Sequence, residues 1–245
     1  MTNRRKSGIF FGRFAAKNVA HFHLGRVHRM RSLRLSEIGN GTFVVGLTGS
    51  MQSGKQELRP VFEEEGWRYV DLNDFVDEVH ARDRLTFYAE IGLSEDLLQN
   101  GKETASYYLK ISSDPALHRA AQEHETAYVV KRLCELWPSF TGRVLVNWGY
   151  VYQIAHIISF DHLIVFEADR SVWYERIRRA YARSGFGGKG TLTNADIDNL
   201  ARAIEMDPTE IRSWLERTLP AEDRSMFNTS DDDWGAQKLR EVIGA

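Results

Sequence analysis

The chain predicts an α/β fold, a mainly parallel sheet with helices on both faces. Three observations carry that expectation. Short β-branched apolar runs recur along the chain, as in Thr42–Leu47, Arg143–Trp148 and His162–Glu167, and they read as buried strands. Stretches of helical periodicity separate them, which is the alternation that builds parallel sheets. A glycine-containing turn, Thr48–Lys55, follows the first run and leads into a helix. With 245 residues, 42% of them apolar, the chain suits one α/β domain with a small appendage. No stretch approaches the ~18 apolar residues of a membrane span.

The elements follow in order. Thr42–Leu47 is the first strand. Gln56–Glu65 is a helix with Leu58, Val61 and Phe62 facing a core, and Gly66 is its C′ glycine. Trp67–Leu72 is a second strand and Asn73–Arg84 a second helix. Residues 85–113 give no clear pattern. Asp114-Pro115 opens a long helix to about Trp137, with Asp as cap and Pro at N1. Two strands, Arg143–Trp148 and His162–Glu167, come next. Ser171–Arg183 is a basic helix, Ser184–Gly190 a flexible loop containing Lys189, and Asn194–Glu205 a helix. Asp207-Pro208-Thr209-Glu210 carries the signals of a further helix start. A short strand near Met226–Asn228 and a helix over Asp231–Val242 close the chain.

Charge is unevenly spread. Residues 1–36 carry nine Lys or Arg and no acid, whereas the remainder carries 23 basic against 34 acidic side chains. Residues 1–41 therefore read as a basic extension and 42–245 as the folded domain. Three readings of the extension stand side by side: a mitochondrial presequence, which is Arg-rich and acid-free; an arm that lies on an acidic protein surface or on RNA phosphates; and a solvated tail. Cys134 is the one cysteine, so no internal disulfide forms, and a reducing compartment fits. Its apolar helical neighbours predict a core thiol.

Gly49-Ser50-Met51-Gln52-Ser53-Gly54-Lys55 has the form G-x-x-x-x-G-K. In such a turn the backbone N–H groups point inward around phosphates, and the lysine reaches the β- and γ-phosphates. The residue after the lysine is normally Ser or Thr, whose hydroxyl holds Mg²⁺. Here it is Gln56, which counts against a Mg²⁺ site.

With Val44-Val45-Gly46-Leu47-Thr48-Gly49 and Ser53-Gly54-Lys55, the chain resembles dephospho-CoA kinase, a family that opens with V-G-L-T-G-G-I-G-S-G-K-S. The family's D-A-D signature falls, without a gap, on Asp71-Leu72-Asn73, and Ile111–Pro115 is similar to its I-F-x-D-P segment. The likeness spans roughly residues 42–243 in order of elements and is close only in its first third. It implies a P-loop kinase fold with a lid, ATP as the nucleotide, and phosphorylation of the ribose 3′-hydroxyl of dephospho-CoA. Residue by residue it implies nucleotide contacts from Gly49 through Gln56, and Lys55 on the transferring phosphate. The general base of the family falls on Asn73, an amide with no basic site near neutral pH. Asp71 and Asp74 are the nearest carboxylates. The family's P-L-L segment is replaced by Asn147-Trp148-Gly149-Tyr150, and its histidine falls on Thr126.

Arg176, Arg179 and Arg183 share a helix face. In a kinase of this fold such arginines clamp phosphates; a solvated basic helix is the plainer reading. Trp148, Tyr150 and Tyr152 read as core aromatics, with base stacking as the alternative. The histidines show no zinc spacing.

Gln56, Asn73 and the basic extension together predict a catalytically retired kinase-like subunit. Its place would be structural, in a mitochondrial assembly such as a respiratory complex or mitoribosome on the matrix side, with nucleotide binding retained or lost. The alternatives are an active ATP-dependent dephospho-CoA kinase or related small-molecule kinase of coenzyme A biosynthesis, with Asp71 or Asp74 standing in as base or metal ligand and Arg176 and Arg179 clamping phosphate; a cytoplasmic location; and, ranked last, an RNA-binding assembly factor.

Overall fold

The computed structural model describes residues 42–90, 93, 98–99, 102–103, 109–111, 113–155, 158, 160–184, 193–206, 208–230 and 240–241. The N-terminal extension, the loop with Lys189 and most of the helix expected over Asp231–Val242 lie outside them.

Five strands form one parallel sheet: β1 (Phe43–Gly49), β2 (Arg68–Asp71), β5 (Arg143–Asn147), β6 (His162–Glu167) and β7 (Arg224–Asn228). Their order across the sheet is β2-β5-β1-β6-β7, with β1 in the centre. Two-residue strands β3 (Leu98–Gln99) and β4 (Lys102–Glu103) pair antiparallel apart from it, within the stretch the sequence left without a pattern. Among the described residues the helices include α1 (Arg59–Glu64), α2 (Asn73–Glu90), α3 (Pro115–Leu136), α4 (Val151–Ile154), α5 (Arg170–Ser184), α6 (Asn194–Ile204) and α7 (Pro208–Thr218).

Alternation along the strands supplies both faces of the sheet. Val44, Val144, Val146, Leu163 and Val165 pack with Leu133, Trp137 and Ile211 on one face. Val45, Leu47, Leu145, Ile164 and Phe166 pack with Leu58, Phe62 and Trp67 on the other. Side chains successive along a strand point to opposite faces, so a strand apolar at every position must be covered twice. Gly46 sits where no side chain fits: a Cβ there would lie 2.6 Å from Leu163 Cδ1 and 2.9 Å from Val151 Cγ1.

Several boundaries shift for local reasons. The helix expected from Gln56 begins as a 3₁₀ turn, Lys55–Leu58, and becomes α-helical at Arg59. Pro60 has no N–H to offer the carbonyl four residues back, so the α-helical ladder starts beside it. Gly66 takes φ 81 just beyond α1, and its N–H donates to the Glu63 carbonyl at 3.1 Å, the left-handed ending that glycine accepts without strain. α2 runs on past Arg84 to Glu90.

The Asp114 cap forms as expected. Its side chain accepts from the N–H groups of Ala116 and Leu117 at 3.0 and 3.1 Å, with Pro115 in the first turn. Cys134 departs from expectation: it is half-buried on the flank of α3, and burial raises its thiol pKa with help from Glu135. Leu133 beside it takes the fully buried position. Trp148 and Tyr152 are core residues, and Tyr150 packs against Trp148 edge to face at 5.4 Å. The stacking surface the sequence allowed is thus used internally. Among the described residues no helix is long and apolar enough to cross a membrane.

Candidate phosphate-binding site

The turn after β1 is shaped by its glycines. Gly49 takes φ 127, and a Cβ there would lie 2.1 Å from the Phe166 carbonyl oxygen on β6. Only glycine lets the central strand approach its neighbour that closely while turning. Gln52 and Gly54 also take positive φ, 60 and 92. The turn closes with Ser53 N–H donating to the Ser50 carbonyl at 3.2 Å.

Lys55 fills the inside of this turn. It is 8% exposed. Its Nζ donates to the carbonyls of Gly49 (2.7 Å) and Ser50 (2.8 Å) and to Ser53 Oγ (3.0 Å). Burial lowers its pKa to about 7, and the negative charge of Asp71 pulls the other way. Desolvation disfavours the ammonium, while a nearby carboxylate favours it.

Beside the loop stands Asp71, at the end of β2. The parallel register sets it next to Asn147 on β5, and sets Asn147 next to Leu47 on β1. Asp71 Oδ1 accepts from Asn73 N (3.1 Å) and Asn73 Nδ2 (2.7 Å). Asp71 Oδ2 accepts from Gln56 Nε2 and Asn147 Nδ2, both at 3.3 Å. A carboxylate only accepts, so each amide turns its nitrogen inward. Asn147 is 1% exposed, and its Oδ1 has no hydrogen-bond partner. Asp74 lies exposed in the first turn of α2, where a carboxylate favours the positive helix end.

A P-loop kinase holds Mg²⁺ with the hydroxyl after the lysine and with an acid at a neighbouring strand end. Here those places carry Gln56 and Asn147. Among the described residues no group of three His, Cys, Asp or Glu could hold a metal. The donor set does not fit the ion: no hydroxyl follows Lys55, Asp71 already has four N–H donors on its two oxygens, the flanking amides give their nitrogens to it, and Asn147 Oδ1 is a single neutral oxygen where the ion needs several.

Helix α5 meets the loop through residues the sequence did not single out. Trp173 Nε1 donates to the Met51 carbonyl at 2.7 Å, and the Tyr181 hydroxyl lies 3.2 Å from Met51 Sδ. Trp173, Ile177 and Tyr181 recur every four residues, a buried stripe that was legible as such. Arg176 donates instead to Thr229, to Oγ1 at 2.9 Å and the carbonyl at 2.6 Å, tying α5 to the exit of β7. Arg179 pairs with Glu175 at 3.0 Å on the exposed face. The side chain of Arg183 lies outside the described residues. Gly49 to Gln56, Asp71, Asn73 and Asn147 are therefore brought together, while Asp74 is exposed one residue beyond Asn73, Arg176 bonds Thr229 and Arg179 pairs with Glu175.

Fold and loop together define an α/β protein with a P-loop kinase fold. TT1252 from Thermus thermophilus shares this fold, with a TM-score of 0.55 at 17% identity, over 83% of this chain and 97% of that one. A dephospho-CoA kinase from Campylobacter jejuni (11% identity, 83% and 95% covered, TM-score 0.44) and a shikimate kinase from Bacteroides thetaiotaomicron (13%, 83% and 99%, 0.43) superpose less closely. No family model and no curated protein matches the chain.

Proposed function

We propose that this chain is a non-catalytic relative of dephospho-CoA kinases, which keeps a phosphate loop and serves as a structural subunit of a mitochondrial assembly such as a respiratory complex or mitoribosome. The observation that carries the non-catalytic part is the saturation of Asp71 by the amides of Gln56, Asn73 and Asn147. Phosphoryl transfer is positioning plus charge neutralisation. A carboxylate with four donors on it offers no open lone pair to a substrate proton, and Asn73 is an amide with no basic site near neutral pH. The assembly part rests on charge: nine cations and no acid over residues 1–36, ahead of an acidic body, suit an arm lying on a partner.

Incubation of the purified chain with ATP, MgCl₂ and dephospho-CoA should yield no CoA above the blank. Robust turnover would sink the reading. In mitochondrial lysate the full chain should sediment with large assemblies, and removal of residues 1–41 should release it.

A working kinase is the second reading, favoured by the retention of Asp71 within electrostatic reach of Lys55. It requires measurable wild-type turnover, raised by the double change Gln56→Ser with Asn73→Asp.

A further inference from the structure

We infer that the loop takes its phosphate ligand without a divalent cation, and that the ligand is a mono- or diphosphate end rather than Mg·ATP. The inference rests on the reading of Gly49–Lys55 as a surviving phosphate loop and goes further, to the charge state of what binds there.

The first argument is coordination. Mg²⁺ demands near-octahedral oxygen ligands at about 2.0–2.1 Å. The side chains nearest the expected position are Gln56, Asn147 and Asp71. Both amides give their nitrogen to Asp71, because the carboxylate between them can only accept, and the unpaired Asn147 Oδ1 is one neutral oxygen against the six ligands the ion requires. Turning the amide oxygens to a metal would leave their N–H groups facing it or unpaired. Freeing Asp71 for the metal would strip donors from it as well. Asn147 is held by its buried position at the end of β5, so its amide does not swing out to make room.

The second argument is charge. Lys55 brings one positive charge and Asp71 one negative charge within mutual influence. Without a metal the side chains at the loop sum to about zero, leaving backbone N–H groups as the remaining anion-binding elements. Such a site tolerates the two or three negative charges of a mono- or diphosphate better than the four of free ATP, which Mg²⁺ ordinarily offsets. Gln56 is exposed beside the loop, and its amide nitrogen has two hydrogens: one stays on Asp71 at 3.3 Å, and the second can meet a phosphate oxygen, an amide donor where other P-loops keep a metal.

The test is calorimetric titration of the full chain with ADP, ATP and inorganic pyrophosphate, in EDTA and in excess MgCl₂. The expected result is ADP and pyrophosphate affinity that differs by no more than about threefold between the two conditions, with ATP the weakest. The double change Gln56→Ser with Asn147→Asp supplies a hydroxyl and a second carboxylate. It should make ADP binding Mg²⁺-dependent by about tenfold or more. If the double variant melts early, Gln56→Ser alone, on an exposed position, should show the same trend in smaller measure. Wild-type binding that tightens about tenfold or more with Mg²⁺, without turnover, overturns the inference and leaves the non-catalytic reading standing. Tightening with turnover of dephospho-CoA overturns both. Failure of all three ligands to bind in either condition also overturns the inference, and reduces the loop to scaffold within the structural reading.

Discussion

Lys55 shows how one side chain couples ligand to proton. Burial lowers its pKa to about 7, so at higher pH most molecules carry a neutral amine. A phosphate binds the ammonium better than the amine, so binding raises the lysine pKa and takes up a proton. By linkage, affinity should then fall as pH rises above 7, by up to about tenfold per unit. Titration of ADP at several pH values, in buffers of different ionisation enthalpy, measures both the fall and the proton uptake. Lys55→Met should remove the affinity itself. Two glycines make a second residue-scale contrast. Gly49→Ala combines φ 127 with a 2.1 Å clash against backbone and should cost about 3 kcal/mol or more. Gly66→Ala has φ 81 but nothing within 4 Å, so it should cost about 1–2 kcal/mol from conformation alone. Chemical denaturation of the two variants separates steric from conformational cost.

At the scale of elements, α3 carries its start signal in sequence. Asp114→Ala should cost about 1 kcal/mol and Asp114→Asn far less, measured by the denaturation midpoint. Thr193 and Asp196 cap α6 reciprocally, a pairing that the amphipathic pattern from Asn194 onward did not reveal. Helix α5 illustrates the limit of periodicity. Its arginines recur at helical spacing, but spacing names a face without naming what lies opposite. Only packing shows that Arg176 meets Thr229 and that Trp173 is the residue touching the loop. The first helix is similar: Pro60 is plain in the sequence, yet whether it starts, kinks or ends a helix depends on the turn before it.

Across the whole molecule, the central strands β1, β5 and β6 are covered on both faces, while α5 and α6 share a smaller cluster of their own around Trp173, Ile177 and Leu200. Hydrogen exchange should therefore be slowest in those strands and faster in α5 and α6. A bound phosphate ligand should slow exchange in residues 50–55 and also in the first turns of α5, because Trp173 holds the Met51 carbonyl. Protection confined to the loop would show that this contact does not couple the two.

The four strands named by apolar runs, the turn at Gly49–Lys55, the Asp114 cap and the ending at Gly66 were all written in local sequence. Each depends on residues within a few positions of one another: alternation makes a strand, and a glycine permits a left-handed turn. The ring around Asp71 could not be read that way. Gln56 lies 15 residues before it and Asn147 lies 76 after. They meet because the parallel register sets β2 beside β5 and β5 beside β1. Strand order and register arise from packing both faces of the sheet at once, and that is decided only in three dimensions.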